Sequence, residues 1–249
     1  MKKISIIFLF LAIICQSVLA VQKEEADQAY QNNDFSKAIE LYNSILNDTG
    51  ESAAIYYNLG NSYYKADSIG KAILNYERAL MLNPNDGDIK FNLEMAKSKT
   101  IDKITPKNEV FLVSWANAII SLMNESSWAK LAIASFMVFL LSVAVYLFNK
   151  KSLIKKIGFS LALVALFICI FSNVFADSQK EAVTVRTKAI VIEPSVTVRS
   201  TPDESGTELF VLHEGTKICI EDNTMSSWKE VSLEDGNRGW IKTSMIEII

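Results

Sequence analysis

The chain has 249 residues, a formal net charge of −3, one histidine and three cysteines. This length exceeds the usual range for one domain, about 100 to 200 residues, so the composition is an average over unlike segments. One histidine and three scattered cysteines leave no metal-binding cluster of the usual spacing, and no phosphate-binding glycine loop or nucleophile elbow occurs. These features argue against a metal-dependent or hydrolytic enzyme.

Residues 1–20 have the pattern of a signal peptide. Two lysines precede the apolar stretch 4–14, and small or short residues lead to a cleavage position after Ala20. The alternative is an uncleaved anchor, although the apolar core is short for a membrane span. Cys15 raises the question of a lipoprotein signal, but the bulky Ile14 before it argues against lipidation. We therefore expect cleavage and export of the rest of the chain.

Residues 21–105 contain a sequence repeat with a period of 34 residues. The matching pairs are Phe35/Ile69, Ala38/Ala72, Ile39/Ile73, Tyr42/Tyr76, Leu46/Leu80, Asn58/Asn92 and Leu59/Leu93. This is the period of the tetratricopeptide repeat, a pair of antiparallel helices, and the region resembles that family. In the second copy Gly60 is small where two helices approach closely, and Pro84 ends the second helix. The first copy is weaker, and the third has only a first helix over residues 88–99.

One face of the second repeat predicts a binding groove. Tyr57, Asn61 and Tyr64 are spaced i, i+4 and i+7 on one helix, and in tetratricopeptide arrays the corresponding stripe lines the concave surface. The equivalent stripes in the other copies are Lys23, Asp27, Tyr30, Phe91, Met95 and Ser98. Alternatively, these aromatic residues pack between repeats or are covered by the helix that follows.

The charge of the repeat region bears on its partner. Residues 21–105 carry nine Lys/Arg against thirteen Asp/Glu, a net charge of −4. This balance gives no support for nucleic-acid binding and favours a partner with a cationic surface.

Residues 106–127 are predicted to form a linker that contains a helix. Its apolar core, between Glu109 and Met123, has a run of only about 14 uncharged residues, which is too short to cross a bilayer. A helix lying in the membrane interface is one interpretation. A helix that closes the repeat array and a re-entrant segment remain open. Thr105 and Pro106 are expected to break the preceding helix and act as a hinge.

Two segments, 128–148 and 157–176, are predicted membrane spans. Each contains 18 or more consecutive uncharged residues, enough for a helix across the hydrocarbon core. The loop 149–156 between them holds four lysines and no acid, which indicates the cytoplasmic side, and Trp128 stands where interfacial aromatics are enriched. Signal peptide and loop both predict that the repeats and the C-terminal region face the exterior.

After a linker at residues 177–188, the segment 189–249 has short β-branched runs separated by turn residues, which predicts a small β-barrel. The segment resembles the bacterial SH3 (SH3b) family in four stretches: Val196–Ser200, Leu212–Thr216, Trp228–Val231 and Asp235–Ile241. In that family Gly215 and Gly239 serve turns, and Trp228 and Trp240 form part of the core or one wall of a shallow groove. No run of exposed tyrosines is present to bind a polyproline helix.

The remaining reactive side chains have structural interpretations. Cys219 lies in an alternating strand pattern and is expected to be a buried thiol, with no exported partner for an intrachain disulfide. His213 stands beside the Glu214-Gly215 turn and is expected to be a solvated loop residue. We predict no catalytic, cofactor-binding or metal-binding residue.

The chain resembles the BatE-type proteins of Bat aerotolerance operons in the order of its predicted parts. These parts are a signal peptide, a tetratricopeptide array, a two-span hairpin and an SH3b barrel. The predicted fold class is a multidomain membrane protein: an all-α tetratricopeptide solenoid, a transmembrane helical hairpin and a small all-β SH3-like barrel. The resemblance implies an inner-membrane scaffold with periplasmic domains, which works with von Willebrand A-type Bat proteins and a MoxR-type ATPase in oxygen or stress tolerance.

Three functions remain in view. The first is a non-enzymatic scaffold that assembles a membrane protein complex. The second is an envelope sensor whose SH3b domain binds a cell-wall or peptide ligand, although a cytoplasmic loop of eight residues is too small to hold a signalling domain. The third is an enzyme, for which no catalytic pattern was found.

Overall fold

The computed structural model describes residues 21–105 and 111–249. The predicted signal peptide, residues 1–20, and the predicted hinge at Pro106 lie outside the described residues. The described chain divides into two units. The first contains the helical repeats and the C-terminal residues 187–249, and the second consists mainly of residues 111–186.

Five helices form the repeat region of the first unit. They are α1 (residues 21–31), α2 (Phe35–Thr49), α3 (Ala53–Lys65), α4 (Ile69–Leu82) and α5 (Gly87–Ser98). Short connections join them, and from α2 onward each helix packs on the next. The 34-residue period extends to the turns, because Asn33 and Asp67 both have φ of 60°. Asn and Asp tolerate this left-handed conformation better than most residues.

Close packing between α3 and α4 explains the small residue at Gly60. A Cβ atom at Gly60 would lie 2.7 Å from the ring of Tyr76, which is nearly fully buried between the helices. The sequence prediction that this glycine permits close helix approach is confirmed. The buried cores of the two copies are continuous, because Leu46 and Tyr63 border both clusters.

The C-terminal residues form one antiparallel sheet. Its strands are β1 (Lys188–Val191), β2 (Ser195–Arg199), β3 (Glu208–His213), β4 (Lys217–Asp222), β5 (Trp228–Ser232), β6 (Arg238–Lys242) and β7 (Ile246–Ile248). Their order is β3-β2-β6-β5-β4-β1-β7. The end strands β3 and β7 do not pair with each other, so the sheet is not the closed barrel that was predicted. Buried side chains alternate along the strands, and Val196, Val198, Ile218 and Ile241 are in its core.

The two glycines assigned to turns have different roles. Gly215 has φ of +84° in the turn between β3 and β4, a conformation that favours glycine. Gly239 lies within β6, and the prediction that it serves a turn was wrong. A Cβ atom there would lie 2.5 Å from Cγ1 of Val198, so Gly239 allows β2 to pass close to β6.

The sheet packs against the second repeat within the first unit. Ile190 and Ile249, from the ends of the sheet segment, share a buried cluster with Ile73 of α4. The backbones also meet, because a Cβ atom at Gly70 would lie 3.2 Å from the backbone nitrogen of Gly215. The repeats and the sheet are distant in sequence but have one continuous packing interface.

The second unit contains three helices: α6 (Phe111–Ile120), α7 (Glu125–Phe148) and α8 (Ser152–Thr184). Both α7 and α8 are long and apolar enough to cross a membrane. They pack through small residues, since a Cβ atom at Gly158 would lie 3.1 Å from the carbonyl oxygen of Ser142. Residues 152–156, predicted as loop, and residues 177–184, predicted as linker, both belong to α8. The connection between α7 and α8 is therefore only residues 149–151.

Candidate protein-binding groove

Helices α1, α2 and α3 enclose an open pocket of about 260 Å³ on the repeats. The lining residues are Asp27, Tyr30, Gln31, Tyr42, Asn58 and Asn61. Asp27, Tyr30 and Asn61 were predicted as groove residues from the sequence, and the structure brings them together here. Tyr57, Tyr64, Phe91 and Met95 are not among the lining residues.

A hydrogen-bonded triad lies at one side of the pocket. Oδ1 of Asp27 accepts a hydrogen bond from the hydroxyl of Tyr42 at 2.5 Å and one from Nδ2 of Asn58 at 3.3 Å. The other carboxylate oxygen accepts from Nζ of Lys23 at 2.6 Å. Three helices therefore converge on one carboxylate.

The same triad recurs 34 residues later. Oδ1 of Asn61 accepts a hydrogen bond from the hydroxyl of Tyr76 at 2.7 Å and one from Nδ2 of Asn92 at 2.8 Å. Each member is the sequence equivalent of a member of the first triad, and the chemistry differs only where an amide replaces the carboxylate of Asp27. The repeat thus presents two similar polar sites, one anionic and one neutral.

Both tyrosines of the triads remain protonated at ordinary pH. Burial raises the pKa of Tyr42 well above its usual value, and the hydrogen bond to Asp27 raises it further. Burial also raises the pKa of Tyr76, with a further contribution from the nearby Tyr57. The two hydroxyls are therefore stable donors that hold the acceptor oxygens in place.

The other predicted groove residues lie beside the second triad or on the surface. Tyr57 accepts a hydrogen bond from Nδ2 of Asn92 at 3.0 Å, and its ring lies 6.1 Å from that of Tyr76. Nζ of Lys99 lies 4.2 Å from the ring centroid of Tyr64. Phe91 and Met95 are exposed on α5. The alternative that the aromatic residues pack between repeats thus describes Tyr57 better than Phe91.

Sequence reasoning missed Tyr42, Asn58 and Gln31 as pocket residues and Asn92 as a member of the second triad. Three of them carried a signal, because Tyr42 pairs with Tyr76 and Asn58 pairs with Asn92 in the 34-residue repeat. Polar residues repeated at this period indicate a repeated side-chain contact, as an apolar pair indicates a repeated core position. Gln31 has no such partner.

Trp228 and Trp240 lie outside the buried core of the sheet. Both are half-buried, and neither belongs to the buried cluster. Trp228 lines a shallow depression of about 570 Å³ with Ser226, Ser227, Lys242, Thr243 and Ser244. Trp240 pairs across the sheet with Arg199 and Glu230. Trp228 therefore borders a surface depression, and the assignment of either tryptophan to a ligand-binding groove stays a prediction.

His213 is not a solvated loop residue, as the sequence had suggested. It is the last residue of β3, and its Nδ1 lies 2.8 Å from Oδ1 of Asp102 in the segment after α5. Oδ2 of Asp102 also accepts hydrogen bonds from the backbone of His213 at 2.7 Å and from the hydroxyl of Thr216 at 2.6 Å. Burial would raise the pKa of Asp102, but these hydrogen bonds outweigh it and hold the pKa below its usual value. The contact joins the sheet to the repeats.

Cys219, expected to be buried, is half-buried and forms no disulfide. Within residues 21–105 and 111–249, no group of three or more His, Cys, Asp or Glu residues has the arrangement to hold a metal ion.

Residues 21–105 are thus a helical repeat array with an open polar groove. The family model named Tetratricopeptide repeat matches residues 53–86, which span α3 and α4 with the turn that follows. This match bears out the predicted repeat and indicates protein–protein interaction. A search of curated proteins finds no match to the chain.

Proposed function

We propose that the chain is a membrane-anchored, non-enzymatic adaptor that holds a protein partner in the groove of its repeats. The observation that carries this proposal is the duplicated hydrogen-bonded triad, of which the first copy and Asn61 of the second line an open pocket. Repeating a polar contact at the period of the array extends one recognition element along the groove. This arrangement suits a linear segment of a partner better than a compact small molecule.

The asparagines supply the chemistry for such a segment. Each triad uses only one end of each amide, because Oδ1 of Asn61 accepts two bonds while Nδ2 of Asn58 and of Asn92 donates. The opposite atoms, Nδ2 of Asn61 and Oδ1 of Asn58, bond to no group among the described residues. A donor and an acceptor on a half-buried surface match the C=O and N–H groups of an extended main chain.

The two triads differ in charge, so the two ends of the groove are not equivalent. Asp27 places a carboxylate in the first triad, whereas the equivalent Asn61 is neutral, and the repeat region as a whole carries a net charge of −4. We infer that a basic side chain of the partner binds near Asp27. Lys23 already pairs with Asp27 and is on the surface, so a partner must displace or share that contact.

The test exchanges the two acceptors. Asp27→Asn copies the second triad and should keep the fold, because Asn61 accepts the same two hydrogen bonds at the equivalent position and only the surface pairing of Asp27 with Lys23 is lost. We expect it to weaken co-purification of the partner from mild detergent, whereas Asn61→Asp should keep or strengthen it. Melting of the helical signal is measured in parallel. If both variants retain the partner unchanged, the charge at this site does not contribute to binding and the partner binds elsewhere.

The wider setting of the adaptor follows from the resemblance stated above. We propose that α7 and α8 anchor it in the inner membrane of a bacterium with the repeats and the sheet in the periplasm. Its partners would then be von Willebrand A-type Bat proteins and, through them, a MoxR-type ATPase in stress or oxygen tolerance. Identification of the co-purifying chains tests this setting.

An SH3b assignment of the sheet supports a second candidate function. The depression beside Trp228, with Lys242 Nζ at 5.8 Å from the ring centroid, suits a cell-wall or peptide ligand and would make the protein an envelope sensor. Because Trp228 is half-buried and outside the core, Trp228→Ala should leave the melting temperature nearly unchanged. Loss of binding to purified cell wall by this variant, with the groove partner retained, would favour the sensor.

A further inference from the structure

The C-terminal end of α6 is attached to the helical hairpin by two side chains. The carbonyl oxygen of Ile120, the last residue of α6, accepts a hydrogen bond from Nε1 of Trp128 at 3.0 Å and one from Nε2 of Gln179 at 2.9 Å. Trp128 belongs to α7 and Gln179 to α8, and both are buried. One carbonyl group is therefore held by both helices of the hairpin.

This attachment lies at one boundary of the apolar part of the hairpin. The ring of Trp128 lies 5.0 Å from that of Phe175, and these residues stand next to the uncharged stretches of α7 and α8. Beyond Phe175, α8 becomes polar at Asp177, Lys180 and Glu181. Tryptophan is enriched at the depth of the lipid headgroups. The hydrogen bond from Trp128 therefore indicates that Ile120 lies at the same depth.

The surface of α6 is apolar and exposed. Phe111 is 77% exposed and Trp115 is 59% exposed, and Val113 is also exposed. No charged residue occurs from residue 111 to residue 124. At 10 residues, α6 is about 15 Å long, roughly half the thickness of the hydrocarbon core. It is too short to cross a membrane, and exposure of its large apolar side chains to water is unfavourable.

We propose that α6 lies in the lipid–water interface and inserts Phe111 and Trp115 among the lipids. The attached end of α6 is at the boundary of the proposed spans. If the hairpin crosses the membrane, this end of α6 therefore lies at the membrane surface, beside the lipids. Helices that carry Trp and Phe on their apolar face bind the interface in this way, with that face about 5–10 Å deep. The inference rests on the proposed membrane anchoring, and its test separates the two.

The test measures lipid contact of Trp115 in the full chain. The protein carries Trp228→Phe and Trp240→Phe and is placed in nanodiscs of phosphatidylcholine and phosphatidylglycerol, with ordinary or dibrominated acyl chains. All variants keep Trp128. The fluorescence of the protein with Trp115 minus that of the Trp115→Phe variant is therefore the emission of Trp115. We expect brominated lipid to remove about half of that emission, since an interfacial helix buries its apolar face within reach of the acyl chains.

Two variants on the Trp115→Phe background serve as controls. Leu141→Trp places the probe on the exposed surface of α7, in the middle of its apolar stretch, and reports whether the hairpin is inserted. Phe91→Trp places it on the exposed surface of α5, in the repeats, and should not be quenched by lipid. Quenching of Trp115 together with Leu141→Trp supports the proposal.

Two results overturn it. If Leu141→Trp is quenched but Trp115 is not, the hairpin is inserted and α6 lies away from lipid. If neither is quenched, the hairpin itself is not in the bilayer, and both the anchoring and the position of α6 are wrong.

Discussion

Nζ of Lys217 in the sheet donates a hydrogen bond to Oε2 of Glu77 in α4 at 2.6 Å. The side chain of Glu77 is only 7% exposed, and Nζ of Lys97 lies 3.1 Å from its other oxygen. Burial alone would raise the pKa of Glu77, but the two ammonium groups outweigh burial and hold the pKa below its usual value. One buried carboxylate thus joins the repeats to the sheet.

Replacing Glu77 by glutamine should destabilise the first unit. Gln has nearly the same shape but leaves Lys217 and Lys97 without their negative partner, and removing one member of a buried ion pair costs about 3 kcal/mol. The control is Glu94→Gln, which also pairs with Lys97 but is 75% exposed and should change stability by less than about 0.5 kcal/mol. Thermal unfolding followed by circular dichroism in detergent measures both. Equal effects would show that Glu77 does not stabilise the interface.

Acid should weaken the contact between repeats and sheet. Glu77 and Asp102 both have a pKa lowered by folding, so the stability that they contribute is present above the unfolded carboxyl values, about 4. It is lost as pH falls through their lower folded values. The melting temperature should therefore fall more steeply below pH about 4 for the native chain than for the double variant Glu77→Gln/Asp102→Asn. Parallel curves from neutral to acid pH would contradict this assignment.

The contact between Gly60 and Tyr76 predicts a large effect from one methyl group. In Gly60→Ala the new Cβ would lie 2.7 Å from the ring, and overpacking of this kind costs about 1–3 kcal/mol. Gly87→Ala is the matched control, because Gly87 starts α5 and a Cβ there meets nothing within 4 Å. The control should be neutral or slightly stabilising. Denaturant unfolding of the helical signal compares them, and a neutral Gly60→Ala would mean that α3 and α4 separate readily.

Local patterns predicted the elements better than the contacts between them. The 34-residue period predicted the helices, and Gly60 predicted the close approach of α3 to α4, because both follow from residues near in sequence. The triad of Asp27, Tyr42 and Asn58 spans 31 residues but repeats with the period, so the repeated residue pairs indicate it.

The contact between the repeats and the sheet carried no such signal. Asp102 and His213 are 111 residues apart and belong to different kinds of structure, so no period or spacing relates them. The sequence around His213, next to a glycine turn, predicts an exposed side chain. Its partner Asp102 is brought to it only by the packing of the sheet on the repeats. For the same reason the pattern of strands predicted a barrel but not whether its edges meet.

The last prediction concerns the orientation of the hairpin. The lysines around the connection 149–151 indicate the cytoplasmic side, so residues 21–127 and 177–249 should both face the exterior. Protease added to spheroplasts should then cleave the repeats and the sheet, whereas cleavage at Lys150 and Lys151 should require lysis. Antibodies against each end of the chain identify the fragments, and a known cytoplasmic protein reports whether the membrane is intact. Protection of both soluble regions with cleavage at the lysines from outside would invert the orientation, and the groove would then meet cytoplasmic partners.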